Sequence, residues 1–275
     1  MTGALDLHTH STYSDGQHSP AEIVRMAQRL DLRAIAVSDH DTMEGIDEAL
    51  LAAADSDLLV VPAVELSVDH GGLELHLLGY YVDHSPGSAL GDLLAKSRVW
   101  RLERAQAIVD RLASRGIEID WRRLQAIAGE GAIGRPHIAQ ALIERGVVAS
   151  VREAFDRYLV EGRPAYVPRQ KLAPQQAISA VLVAGGVPVL AHPWGLMNLL
   201  DELVPMGLEG LEVYYTGYGP EKERLLGRYA SEYRLLETGG SDFHGRDVNP
   251  NNVLGGVDVP LACLEALRAR AGQRE

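Results

Sequence analysis

Short aliphatic runs closed by polar residues recur along the chain and alternate with stretches of helical period. Runs rich in Val, Ile, Leu and Ala at 4–7, 33–37, 58–64, 73–79, 187–191, 208–214 and 234–238 predict buried strands. Between many of them lie helical patterns, at 20–30, 42–53 and 174–184. Ser19 before Pro20 has the form of a helix N-cap, and Glu22 three residues later completes a capping box. Gly185 and Gly186 end a helix ahead of the next strand. Strand, helix, strand repeated in this way implies parallel pairing, and an α/β barrel is the architecture expected.

From about residue 98 to 167 the rhythm breaks. Helical periodicity at 100–113, 136–145 and 150–159 occurs there without a strand pattern. This predicts a barrel formed by 1–97 and 168–275, interrupted by a helical insertion at 98–167 that serves as a substrate-recognition cap.

Composition narrows the class. The chain has 275 residues, 46% of them hydrophobic, enough for one large α/β domain or a barrel with a small extra domain. The first residues lack the basic and apolar regions of a leader, and no apolar run approaches the ~18 residues of a membrane span. Cys263 is the only cysteine, which excludes an intrachain disulfide and a thiolate metal cluster. A cytoplasmic enzyme with no membrane partner is expected. The formal charge of -12 argues against an extended nucleic-acid surface. A small anionic substrate remains compatible, because bound cations would reverse the sign locally.

The candidate chemistry lies in the histidines. Six of the ten fall on predicted strands or just past their ends, usually beside a carboxylate. The first strand runs into His8-Thr9-His10, whose spacing of two puts both imidazoles on one side. Asp15 follows in a loop, His40 ends the second strand, Glu65 the third, and His76 lies on the fourth. His192 ends a later strand, and Asp242-Phe243-His244 another, again with polar residues spaced by two. Barrel sites form at the C-terminal ends of strands, so these positions are expected to converge. Six imidazoles and three carboxylates are too many for one ion, and nitrogen and oxygen donors without sulfur suit Mn, Fe or Zn. Glu65 could bridge two ions. His18, His70 and His84, in polar loops, read as ordinary surface histidines.

A binuclear amidohydrolase acting on C–N bonds is the rival metal barrel. Many of its members bridge their ions with a carbamylated lysine, but Lys96, Lys171 and Lys222 are the only lysines here and none ends a predicted strand. Glu65 stands where a bridge is wanted.

The segments DLHTHSTYSDG, AVSDHDT, PAVELS, LHLLGY, VLAHP and GGSDFHG, in this order, resemble the PHP (polymerase and histidinol phosphatase) phosphoesterases. The resemblance implies a distorted (β/α)7 barrel with a trinuclear site. His8, His10, Glu65 and Asp242 would hold one ion, Glu65, His76 and His192 a second, and Asp15, His40 and His244 a third. Two or three divalent ions are expected, Mn first. The segments IGRPHIAQALIERGVV, EAFDRYLVEGRPAYVP and AISAVLVAGGVPVLAHPW further resemble the TrpH-like branch. Its members include a phosphatase of nucleoside 3',5'-bisphosphates that also accepts AMP-like nucleotides, and a 5'-to-3' exoribonuclease of short RNA.

The expected reaction is hydrolysis of a nucleotide phosphate monoester, first the 3'-phosphate of a nucleoside 3',5'-bisphosphate. Metals lower the pKa of bound water toward ~7, so a metal-bound hydroxide attacks without a phosphoenzyme. His192 and Asp242 are the catalytic candidates. If the third ion is absent, Asp15, His40 and His244 would meet the substrate phosphate. Arg98 and Arg101 share a helix face in the insertion. Gly134-Arg135-Pro136 precedes a helix, where Arg135 and backbone N–H groups could grip a second phosphate. Short RNA is the alternative substrate. Histidinol phosphate is disfavoured by the insertion, and a non-catalytic accessory domain by the complete ligand set.

Overall fold

The computed structural model describes residues 4–129, 133–168 and 172–273. In chain order the elements are β1 (Leu5–Thr9), α1 (Pro20–Arg29), β2 (Ala34–Val37), α2 (Ile46–Ala53), β3 (Leu59–His70) and β4 (Leu73–Tyr80). There follow α3 (Ala89–Ala113), α4 (Trp121–Ala128), α5 (Arg135–Glu144) and α6 (Val151–Ala154), which continues into a π-turn at Phe155–Leu159. The chain then forms α7 (Pro174–Val183), β5 (Val187–Leu190), α8 (Leu200–Leu203), β6 (Gly210–Tyr215), α9 (Pro220–Tyr233), β7 (Leu236–Gly240) and α10 (Leu261–Ala271). It divides into two compact units, Met1–Leu94 with Lys171–Glu275, and Ala95–Gln170.

The first unit carries a seven-stranded sheet in sequence order, β1 to β7. Its edges meet: Asp242 donates its N–H to His8 O at 2.8 Å, and His10 donates to Phe243 O at 2.9 Å. The result is a nearly closed barrel. Gly240 makes the seam feasible, because a Cβ there would collide with the backbone of His8. One core cluster joins Leu5, Leu7, Ala34, Ala36, Val61, Ala63 and Val189 with Cys263 and Leu267 of α10. A second seats α1 and α2 against β2 and β3 through Ile23, Val24, Ala27, Ala49, Ile35 and Val60. The capping box of α1 forms, with Glu22 N–H donating to Ser19 Oγ at 3.3 Å and Ser19 N–H to Glu22 Oε2 at 2.9 Å.

Pairing direction departs from the all-parallel expectation. β1, β2 and β3 are parallel, as are β5, β6 and β7, but β4 is antiparallel to both its neighbours. The cause is local. Gly71 and Gly72, at φ 63° and 92°, form a two-residue turn between β3 and β4. Only a hairpin joins strands over so short a link. β3 therefore does not end at Glu65 but runs five residues further, to His70.

The second unit is built of helices joined by turns, with no strand among its described residues. Ile108, Leu112, Leu124, Ile138, Leu142 and Leu159 form its core. Arg123 clamps α4 to α5 through two bonds to Glu144, at 2.8 and 2.7 Å.

Candidate metal centre

Three strands and the segments that follow four strands deliver the candidate ligands. His8 lies in β1 and His10 just beyond it. Between Asp6 and Thr9 the register against β2 shifts, an irregularity that re-aims the side chain of His8. The Nε2 atoms of His8 and His10 come within 3.1 Å of each other. His40 follows β2 and pairs as an isolated bridge with Glu65 in β3. His76 comes from the reversed strand β4, opposite Ser67. His192 and Asp242 follow β5 and β7 in the left-handed region, at φ 28° and 53°. Neither is glycine, so this backbone carries strain held by the surrounding fold.

Glu65, 1% exposed, is the hub. Its Oε2 lies 3.4, 3.2 and 3.0 Å from nitrogens of His8, His10 and His40, and its Oε1 lies 3.0 and 3.3 Å from those of His76 and His192. Asp242 Oδ1 sits 3.4 Å from His8 Nε2 and 3.1 Å from His10 Nε2. Half-exposed Asp15 reaches His244 Nε2 at 3.2 Å and His40 Nε2 at 3.8 Å. Three sets are compact enough to hold an ion: His10, Asp15, His40 and His244; His8, His10 and Glu65; and His40, Glu65 and His76. These sets overlap more than the sequence-based grouping, since His10 and His40 each belong to two.

The residues fit cations. His10 Nδ1, His40 Nδ1 and Glu65 Oε2 are buried without a hydrogen-bond partner, although nitrogens crowd within 3.0–3.4 Å of that oxygen. Such atoms approach each other without the alignment of a hydrogen bond, as ligands around a shared ion do. Buried polar atoms left in this way would otherwise be costly.

Electrostatics carry the same signature. Burial opposes a charge on His10, but Asp242 and Glu65 outweigh it and raise its pKa to about 10. Burial likewise opposes a charge on His76, and Glu65 lifts it to about 9. Desolvation wins at His40, which falls to about 4. Burial would raise Glu65, yet His40, His8 and His76 hold it well below the usual carboxylate range. Asp242 is also held low, by His8 and His10 against the effect of burial.

A second set of residues positions the first, and the sequence reading missed it. Glu212 on β6 is fully buried. Its Oε1 lies 2.9 Å from His8 Nδ1 and its Oε2 accepts the backbone N–H of His192 at 2.6 Å. A carboxylate on Nδ1 leaves the Nε2 lone pair for a metal, the usual orientation device of such sites. Asp39 accepts from Ser11 N–H at 2.7 Å, Ser11 Oγ at 2.6 Å and Ser14 Oγ at 2.5 Å, which pins the loop carrying Asp15. Asp6 accepts from Ser241 N–H and Oγ, at 2.8 and 2.6 Å, and pins the segment carrying Asp242. Tyr215 donates to Asp242 Oδ2 at 2.8 Å. Two glutamates, Glu209 and Glu212, interrupt the apolar run 208–214, and the second was the available signal.

The expected substrate contacts from the insertion fall in the second unit. The side chain of Arg98 lies outside the described residues, and Arg101 is half-buried; Lys171, weighed only as a bridging lysine, also lies outside them. Arg135 is the first residue of α5 rather than part of a preceding turn. Its guanidinium lies over the Phe155 ring, 5.4 Å from the centroid, and Nη1 is 3.5 Å from Leu159 O. The Gly134 N–H donates to His137 Nδ1 at 3.0 Å, so it is engaged within its own helix start. Among the described residues, no helix is long and apolar enough to cross a membrane.

A nearly closed α/β barrel with imidazoles and carboxylates converging at one place defines a metal-dependent hydrolase. Residues 6–97 match the PHP domain family. The chain is 34% identical over 252 residues to a 5'-3' exoribonuclease of Haemophilus influenzae, covering 89% of this chain and 91% of that protein. It is 32% identical over 273 residues to a 3',5'-nucleoside bisphosphate phosphatase of Chromobacterium violaceum, covering 94% and 93%. A crystal structure from Bifidobacterium adolescentis, assigned as a metal-dependent phosphoesterase, superposes with a TM-score of 0.83 at 33% identity, covering 98% of this chain and 96% of the other. The chain belongs to the PHP family of metal-dependent phosphoesterases. It is a hydrolase of phosphate esters.

Proposed function

We propose that the chain removes phosphate from nucleotide monoesters, first the 3'-phosphate of a nucleoside 3',5'-bisphosphate and secondarily that of AMP-like nucleotides. The observation that carries this reading is the convergence of His8, His10, Asp15, His40, Glu65, His76, His192, Asp242 and His244 around the buried Glu65 carboxylate. These residues would hold two or three divalent ions, with Mn the first choice for an oxygen and nitrogen donor set and Fe or Zn the alternatives. Bound ions would polarise the phosphoryl oxygens and supply a nucleophile at neutral pH.

The chain's own groups do the rest. Glu212 fixes the tautomer of His8 and the backbone of His192. Tyr215 holds one oxygen of Asp242, leaving Oδ1 turned toward His8 and His10. His192 is 29% exposed, so it stands on the open side of the cluster, where the leaving group would depart. Arg135, the first residue of α5, is the proposed partner of a second phosphate. Arg98 and Arg101 would add charge on the same unit. Arg135→Ala should then raise KM for a bisphosphate far more than for an aryl phosphate, and equal effects would reject that role.

The coverage of the bisphosphate phosphatase relative, together with the acidic charge, supports a small substrate. The exoribonuclease relatives support a second reading, stepwise 5'-to-3' release of nucleotides from short RNA. The deciding experiment reconstitutes the protein with Mn. It compares phosphate release from 3',5'-bisphosphoadenosine, AMP and histidinol phosphate with mononucleotide release from a 5'-phosphorylated RNA pentamer. Preference for the bisphosphate supports the first reading. Comparable efficiency on the pentamer transfers the function to RNA. In oxygen-18 water one label should enter each released phosphate, and a trapped phosphorylated residue would refute direct attack by water.

A further inference from the structure

Beside the metal centre, on the same unit, a row of aromatic side chains runs outward to two, Tyr218 and Trp194, that the chemistry above leaves unused. The His192 ring lies 5.6 Å from Tyr215, Tyr215 lies 5.1 Å from Tyr218, and Tyr218 lies 6.3 Å from Trp194. The row starts at a candidate ligand and ends in solvent, where Trp194 is 45% exposed. Hydrogen bonds hold it at both ends: the Trp194 backbone N–H donates to the Tyr218 hydroxyl at 3.0 Å, and Tyr215 donates to Asp242 at 2.8 Å. Lys222, near the start of α9, places its ammonium 4.8 Å from the indole centroid and 5.1 Å from that of Tyr218.

An indole this open gains little from burial, so packing alone does not account for its place two residues after His192. Rings held rigidly at the edge of a site lose little entropy when a flat partner stacks on them. A cation against the same rings adds attraction for an anionic substrate. A π-face, a fixed backbone and a positive charge one aromatic row away from a phosphate-ester centre are the elements of a nucleotide subsite. The row offers faces rather than a base-reading edge, so it should tolerate different bases.

We infer that Trp194 and Tyr218, with Lys222 against them, stack the nucleobase of the substrate whose phosphate is held at the Glu65 cluster. The inference rests on the nucleotide reading of that site. Purines and pyrimidines bind there with similar affinity.

Two readouts test it in the full-length chain. The first is fluorescence in a W100F/W121F background, where Trp194 is the remaining tryptophan, with AMP or ribose 5-phosphate mixed by stopped flow into the Mn-loaded protein so that binding is read before turnover. AMP should quench the indole and ribose 5-phosphate should not. The second is hydrolysis by Mn-reconstituted protein of AMP, ribose 5-phosphate and the RNA pentamer. Trp194→Ala should raise KM about 10-fold for AMP or for the pentamer, with kcat within about twofold, and leave ribose 5-phosphate unchanged. Trp194→Phe should restore most of the loss. A loss confined to the pentamer places an RNA base on the platform, and a loss on AMP places a mononucleotide there. An unchanged ratio of AMP to ribose 5-phosphate and of pentamer to ribose 5-phosphate in Trp194→Ala, or no quenching by AMP, overturns the inference even if nucleotides are hydrolysed. Quenching by AMP without hydrolysis of any nucleotide keeps the platform and removes the proposed activity instead.

Discussion

Replacing Glu212 by Gln tests the metal centre without touching a candidate ligand. The carboxylate is fully buried and uses both oxygens, one against His8 Nδ1 at 2.9 Å and one accepting the His192 N–H at 2.6 Å. An amide of the same shape cannot do both. With its oxygen toward His192, its NH2 faces His8 Nδ1 and drives the imidazole proton onto Nε2, the atom turned toward Glu65 and Asp242. With its oxygen toward His8, the NH2 meets a backbone N–H, donor against donor. A buried donor left without an acceptor costs about 1–3 kcal/mol. Loss of an outer carboxylate of this kind weakens metal binding about 10- to 100-fold. Both routes therefore predict a similar loss, of the order of 1.4–2.7 kcal/mol. Mn affinity measured by chelator competition should fall by that factor, while metal-free Glu212→Gln remains folded by circular dichroism. Glu237→Gln is the control, because Glu237 accepts from Tyr214 at 2.8 Å rather than supporting a candidate ligand. If Glu212→Gln binds Mn as tightly as the wild type, or no more weakly than Glu237→Gln, the orienting role of Glu212 is wrong.

Metal-free His10 and His76, at about 10 and about 9, carry protons at pH 7.5, so loading must expel them. Calorimetry in buffers of different ionisation enthalpy should show net proton release, with apparent affinity rising from pH 6.5 toward 9. Uptake of metal without proton release would contradict the assignment of these two as ligands. Gly240→Ala drives a methyl into the backbone of His8 at the β7–β1 seam. It should cost about 1–3 kcal/mol in urea melts and lower Mn content in parallel, and an unchanged melt would show that the seam yields. Leu142→Ala opens the core of the second unit and should cost about 2–5 kcal/mol there. Its Mn affinity should match the wild type, and a parallel loss of metal would tie the centre to the helical unit.

What the sequence by itself determined is what depends on near neighbours in the chain. Alternation placed His8 with His10 and set Asp242 and His244 near each other. Ser19, Pro20 and Glu22 specified the start of α1, and helical period marked the second unit. The PHP motifs were legible because each candidate ligand lies inside a short segment on or just past a strand. The direction of β4 also had a local cause, the Gly71-Gly72 hairpin that carries β3 past Glu65, but the strand-helix-strand rhythm pointed to parallel pairing instead. Only the fold could bring Glu212 to His8, 204 residues away in sequence, because that bond depends on where β6 packs rather than on any local pattern. The left-handed backbone at His192 and Asp242 has the same origin. Asp and His tolerate that region better than most residues, but no local pattern calls for it there, and the surrounding fold holds it.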